Sequence, residues 1–420
     1  MKTRAVMGVI LLAFSSYLLI SCQSIPSKNL ATVPSGMARI LPYIHIDKFS
    51  PFEFEFVLYS MELVRSDGTV QNLFSGKLKL SSAELEGRQL LINSAIIEDG
   101  EYSKVRLVIG EPKIRKSEGK AFSALELADA SGVVELPFLA SYNSGESSVI
   151  ALEWDVRKSM EDKKRFKPHM TAYPENNVVP DMLLFVSNSG EDYISVIDRS
   201  TERVVRAVTV GRAPTSIELN TASDLIYVLN SESDTISILD VSSLNMVDEI
   251  QVVGGLGPKE MVFVPEYEGS FYGNLFVMNQ LSNNVTVFNT RSKHLTETIY
   301  LDTTPSSIAA DIERGQVLVV SENSSKLTVI DVRTKTISSS FDVGSESTCV
   351  SASKDVVYIC NKGINAITAV SLSTRDRLSV TPLSDAPVRI WVGFDDYVYV
   401  LSRSTREVTI IDNLGVVMRS

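Results

Sequence analysis

The chain has 420 residues, 44% hydrophobic and 22% charged, which is the composition of folded globular domains and excludes a disordered or low-complexity chain. Lys and Arg number 40 against 51 Asp and Glu, for a formal net charge of −11 and a pI near 5.0. Phosphate-backbone binding needs clustered cations, so no nucleic-acid partner is expected.

At the N-terminus, Met1-Lys2-Thr3-Arg4 precedes an uncharged run from Ala5 to Ser21, the charged start and apolar middle of a secretory signal. The alternative is a retained anchor, but the run falls short of the roughly 20 residues that span the hydrocarbon core. It ends in Leu19-Ile20-Ser21-Cys22, which resembles the lipobox of bacterial lipoproteins. The resemblance implies that residues 1–21 are removed and that Cys22 is acylated, anchoring the protein to a membrane without spanning it. Gln23 after the Cys implies, by the same family's sorting rule, a place in the cell envelope at the outer membrane. Residues 22–36 are polar and proline-spotted and read as a tether.

From 37 to 173 the pattern has a period of two. In Phe52-Glu53-Phe54-Glu55-Phe56-Val57-Leu58 the large apolar residues alternate with Glu53 and Glu55, as in a half-buried strand. Further strands are predicted at 78–80, 90–97, 102–109, 133–138 and 149–154, with turns at Ser66-Asp67-Gly68 and Glu98-Asp99-Gly100. This predicts an antiparallel β-sandwich. Gly100-Glu101-Tyr102-Ser103-Lys104-Val105-Arg106-Leu107 and Leu152-Glu153-Trp154-Asp155-Val156-Arg157-Lys158-Ser159 resemble DUF4382, a bacterial domain family of unknown function common in envelope lipoproteins. That family supplies no activity. Asp155, Arg157 and Lys158 form either a small polar site or, as the ends of sandwich strands commonly do, a solvated edge.

After a linker at 174–181, one strand recurs six times, beginning at Ile194, Ile236, Val285, Leu327, Ile367 and Val408. A second precedes each copy, as in Phe185-Val186-Ser187-Asn188, Tyr227-Val228-Leu229-Asn230 and Tyr358-Ile359-Cys360-Asn361. Pro214-Thr215-Ser216-Ile217, Pro258-Lys259-Glu260-Met261, Pro305-Ser306-Ser307-Ile308 and Pro387-Val388-Arg389-Ile390 open further strands. Four strands in about 42 residues make one propeller blade. The repeat resembles the YVTN repeat of surface-layer-like propellers. Residues 182–420 are thus expected to form a six-bladed β-propeller and the whole chain to be all-β. The first blade lacks its own innermost strand, which either comes from 171–179 or leaves three strands.

Propeller enzymes rely on cofactor ligands, and this chain has three histidines, His45, His169 and His294, with only the last in the repeats. There is no Cys-x-x-Cys-His, no glycine-rich phosphate loop and no carboxylate pair spaced for acid–base work. No metal or other cofactor is expected, and a lactonase-like or quinoprotein-like enzyme is the weakest reading. Cys349 and Cys360 fall in register across a hairpin, giving either a disulfide or two small core residues where siblings carry Ile, Met or Leu.

Recognition is expected from the loops between second and third strands, such as 231–234 and 280–283, and from those between blades. Glu260 and Arg389, with Lys259 beside the former, interrupt small residues in opposite blades. They either bind a small ligand at the channel mouth or line a solvated channel as a structural pair. The insertion from Pro265 to Asn274 carries Tyr267, Phe271 and Tyr272, which either anchor a partner or fold back on the ring. The expected role is a protein or glycan interaction module.

Overall fold

In a computed structural model the described residues are 33–46, 50, 52–116, 120–162, 164–175, 183–322, 324–344, 346–393, 396–402, 404–405, 407–412 and 415–419. The expected signal segment and Cys22 lie outside them. The regular structure is all-β apart from short 3-10 turns. Contacts divide it into two compact units, 33–186 with 190–209, and 187–189 with 210–419.

The first unit holds two five-stranded sheets. One orders His169–Pro174, Ser147–Asp155, Met37–His45 and Gln89–Leu91, with Ala95–Glu98 also on Met37–His45. The other orders Val70–Ser81, Glu53–Arg65, Gly100–Arg115 and Ser123–Ala124, with Val133–Tyr142 also on Gly100–Arg115. Phe54, Phe56 and Leu58 point into the shared core, as the alternation predicts. There the Phe56 ring meets Trp154 edge-on at 5.0 Å, and Trp154 Nε1 donates to Ser159 Oγ at 2.8 Å. Burying that indole therefore leaves no donor unpaired.

One expectation needs correcting here: the sandwich is not wholly antiparallel. Met37–His45 runs parallel to Ser147–Asp155, from Arg39 opposite Ser147 to His45 opposite Glu153. The whole second sheet lies between these strands in the chain, far more than the dozen or so residues a parallel return requires.

The same sheet is covered on its second face by the first repeat sheet, made of Leu183–Asn188, Tyr193–Asp198 and Arg203–Thr209. Leu41, Tyr43 and Val149 pack with Tyr193 and Ala207. Arg39, wholly buried, gives Nη2 to Asp192 Oδ1 at 2.9 Å and lies over the Tyr193 ring at 5.5 Å. Val204 N donates to Gln89 Oε1 at 2.8 Å. Thr171–Pro174 pairs with residues 150–153 of the sandwich, so it does not complete the first repeat sheet. Among the described residues the first repeat sheet has three strands; residues 176–179 of the expected segment lie outside them.

The second unit contains five four-stranded antiparallel sheets in chain order, sheets two to six after the first repeat sheet, sheet one. Their innermost strands are Pro214–Asn220, Pro258–Pro265, Pro305–Asp311, Ser347–Ser353 and Pro387–Val392. Each touches the next, the arrangement of propeller blades. Both faces of the second and third strands are buried; Val285–Val287 and Val317–Val320, for example, are fully covered. Alternation therefore disappears there, and the strands read as continuous apolar runs.

Side chains bind each sheet to the next. On the inside, Phe263 N donates to Glu218 Oε2 at 3.3 Å, Ile308 N to Glu260 Oε2 at 2.9 Å, and Ser306 Oγ to Ser347 O at 2.8 Å. These satisfy backbone groups on strand edges that have no further strand to pair with. On the outside, Lys293, Lys335 and Arg375 occupy left-handed turn positions with φ of 60°, 56° and 65°. They reach back to Asp248, to Thr296 Oγ1 and over the Phe341 ring.

A carboxamide ends the second strand of several sheets. Asn279 Nδ2 donates to Asn284 Oδ1 at 2.9 Å and to Thr286 Oγ1 at 3.0 Å, and Thr368 Oγ1 donates to Asn361 Oδ1 at 2.6 Å. Asn230 Oδ1 accepts from Thr235 Oγ1 at 3.1 Å and from Ser237 Oγ at 3.0 Å. Gly211, Gly255 and Gly344 lie against these amides, at positions where a Cβ would collide with them.

Candidate functional site

A bulge follows the first residue of every innermost strand of the second unit, so each ladder skips one position. Beyond it, Ser216, Glu260, Ser307, Cys349 and Arg389 occupy equivalent third positions, opposite Leu229, Met278, Val320, Cys360 and Leu401. The pattern of hydrophobic residues had aligned Cys349 with Ile217, Met261 and Ile308, one position too far along. The residue left out at the bulge of sheet three is Lys259, which stands outside the ladder beside Glu260.

The structure brings Glu260 and Arg389 together. Arg389 Nη1 lies 2.8 Å from Glu260 Oε1, with the two side chains 35% and 18% exposed. The pair joins the innermost strands of sheets three and six across the centre of the five strands. Because Glu260 spends its other oxygen on Ile308 N, the carboxylate ties three sheets together.

The fifth positions on the same strands are Glu218, Val262, Ala309, Ser351 and Trp391, and the sixth are Leu219, Phe263, Ala310, Ala352 and Val392. Ser216, Ser307 and Cys349 are buried, whereas the fifth and sixth positions are partly exposed on every strand but that of sheet three. Glu218 keeps part of its surface exposed but is crowded by surrounding protein. Burial, opposed by the hydrogen bond from Phe263 N and reinforced by the charge of Glu260, pushes its carboxyl up to about 8.

Glu218 and Trp391 were not singled out in the sequence. A carboxylate between Ile217 and Leu219, on a strand covered from both sides, was the available signal.

At the same end of sheet three is the aromatic loop, 266–272. Its backbone is pinned: Glu266 N donates to Tyr272 O at 3.0 Å, and Asn220 Nδ2 donates to Phe271 O at 3.0 Å. Tyr272 carries Arg291 over its ring at 4.0 Å. Tyr267 and Phe271 stand 69% and 60% exposed. The peptide folds back on one neighbouring sheet, through Asn220, while two of its rings do not.

Cys349 and Cys360 are joined as a disulfide, with Cα atoms 5.0 Å apart and both residues buried. At the edge of the sandwich, Asp155 pairs with Lys158 at 3.2 Å, and Arg157 is exposed. These are the contacts of a strand end. Among the described residues no three His, Cys, Asp or Glu are grouped to hold a metal ion.

No family model matches the chain, and no curated protein matches it. Among solved structures it is similar to Hydrazine Synthase from Kuenenia stuttgartiensis, at 20% identity over 56% of this chain and 75% of that chain, with a TM-score of 0.49. A likeness that distant carries no argument about activity.

Proposed function

We propose that this chain is a lipid-anchored envelope protein whose repeat sheets close, with the first, into a six-bladed propeller that binds a protein or glycan partner. The observation that carries the reading is the loop 266–272, which holds Tyr267 and Phe271 out in solvent on a pinned backbone. Ordering the loop costs little at the moment of binding when its backbone is already fixed, so the rings can serve as anchors. The lipobox-like Leu19-Ile20-Ser21-Cys22 supports the anchor, and the YVTN-like and DUF4382-like segments support an envelope protein of this type.

Affinity capture from native envelope with the anchored protein tests the reading. The variant Tyr267→Ser/Phe271→Ser is expected to lose the partner that the parent retains, with unchanged thermal unfolding. Equal capture by parent and variant would remove the loop from the interface. Mass spectrometry of the exported protein should find the mature chain starting at an acylated Cys22; an intact Met1 or an unmodified Cys22 would overturn the anchor.

A further inference from the structure

Sheet three carries exposed apolar residues at both ends. The aromatic loop 266–272 is at one end; at the other, 252–257 leads into the innermost strand and 280–283 joins the second and third strands. There Leu281 N donates to Leu256 O at 3.1 Å, and in sheet two the matching bond runs from Glu232 N to Arg212 O at 3.2 Å. The repeat therefore sets a leucine pair, Leu256 at 65% and Leu281 at 78% exposure, where sheet two sets exposed opposite charges. Tyr300, 72% exposed, ends the outermost strand, His294–Tyr300, opposite Asn284. The corresponding residues of sheets two, four and five are Gln251, Asp342 and Pro382. Tyr300 faces the same side as Thr298, whose Oγ1 lies 3.1 Å from where a Cβ on Gly254 would be, so Tyr300 and the exposed Val253 share that side.

Segments 252–257 and 279–284 contain no charged residue, although the chain is 22% charged, so moving them into an apolar phase buries no ion. Their backbone is already held: Gln280 N donates to Gly257 O at 2.9 Å, Leu256 N to Ser282 Oγ at 2.9 Å, and Asn284 Nδ2 to Gly254 O at 3.0 Å. Little order is left to impose when the patch is covered. We propose that this patch inserts into the surface of the bilayer that holds the lipid anchor, Leu256 and Leu281 entering the acyl region and Tyr300 standing at headgroup level. The inference rests on the proposed acylation of Cys22. Residues 22–32 precede the described chain, and a segment of that length reaches at most about 40 Å, which keeps the protein beside the bilayer at a concentration where a small patch suffices. With this end of sheet three on the membrane, Tyr267 and Phe271 at the other end face away from it and stay open to a partner.

The mature chain with Cys22→Ser and an added N-terminal polyhistidine is held on phosphatidylcholine vesicles containing a nickel-chelating lipid, so that attachment does not depend on acylation. An environment-sensitive fluorophore is placed at Leu281→Cys and, in a second protein, at Glu232→Cys; Cys349 and Cys360 are joined to each other and take no label. On attachment the Leu281 probe should shift to the blue and be quenched by nitroxide-bearing acyl chains, with the Glu232 probe unchanged. Leu256→Glu/Tyr300→Glu should remove both effects from the Leu281 probe and leave thermal unfolding as it was, because both side chains are exposed. The proposal is overturned if the two probes respond alike, if the Leu281 probe does not respond, or if folded Leu256→Glu/Tyr300→Glu responds like the parent. It is also overturned if sedimentation without vesicles finds a dimer that Leu281→Glu dissolves, since a second copy then covers the patch. An unmodified Cys22 in the exported protein is read separately, by mass spectrometry, and would remove the anchor without altering the vesicle result.

Discussion

Arg389 and Glu260, 129 residues apart in sequence, meet at 2.8 Å and connect the innermost strands of two sheets that are not neighbours. The contact is partly screened by solvent, which keeps it well below the strength of a fully buried pair. Arg389→Met is expected to lower stability by about 1–2 kcal/mol, and Glu260→Ala by more, because it also orphans Ile308 N. In a double-mutant cycle by urea unfolding the losses should be less than additive by about 1 kcal/mol. Strict additivity would mean that the two side chains do not interact in solution.

Glu218 makes stability depend on pH. Its folded carboxyl titrates at about 8 against an ordinary value of 4.5, so the native state keeps a proton that the unfolded chain releases across that window. This contribution is complete below the unfolded value and is lost as pH rises to about 8. Between pH 5.5 and 8.5 the parent should lose on the order of 1–3 kcal/mol more than Glu218→Gln. Parallel pH profiles for the two proteins would show that Glu218 ionises normally.

The bond between Cys349 and Cys360 closes a loop of sequence separation 11. A loop of that length removes about 2–3 kcal/mol of chain entropy from the unfolded state. Reduction, or Cys349→Ala/Cys360→Ala, should lower the unfolding free energy by about that amount, with part of the loss from the vacated core volume. Peptide mapping of the native exported protein should find no free thiol at either position; two free thiols would contradict the bond.

Gly255 lies where any side chain would run into the Asn279 carboxamide, which is fully buried and bonded to Asn284 and Thr286. Gly255→Ala should therefore cost about 2–3 kcal/mol, the scale of overpacking a closed core. Gly269, with open space around its Cβ position but φ of 76°, should lose less on the same change. Equal thermal shifts in the two variants would show that the amide can move aside.

The repeats were readable because two strands per sheet are covered on both faces, and the runs from Ile226 to Leu229 and from Val317 to Val320 carry that covering in plain sequence. The bulge was not readable. It inserts one residue without changing the alternation on either side, and it displaced the expected position of Cys349 by one. The meeting of Glu260 and Arg389 was legible from the expected six-fold repeat, in which the third and sixth copies stand opposite each other. Glu218 was hidden because its neighbours Ile217 and Leu219 make it look like the outward residue of an ordinary half-exposed strand. Arg39 was hidden in the same way: a single cation in Met37-Ala38-Arg39-Ile40-Leu41 looks like a solvent-side residue until a second sheet is known to cover that face.

The sheet that covers it also bears on how such a protein could be assembled from older parts. Sheets two to five meet their successors through similar contacts, so a gene duplication could copy one of them and give the new sheet familiar neighbours. Sheet one differs, because Asp192 and Val204 are matched to Arg39 and Gln89 on the sandwich. A hybrid gene that carried the repeats elsewhere with a break at residue 182 would strand Asp192 without its cation. The compact unit that keeps these pairs together is 33–186 with 190–209.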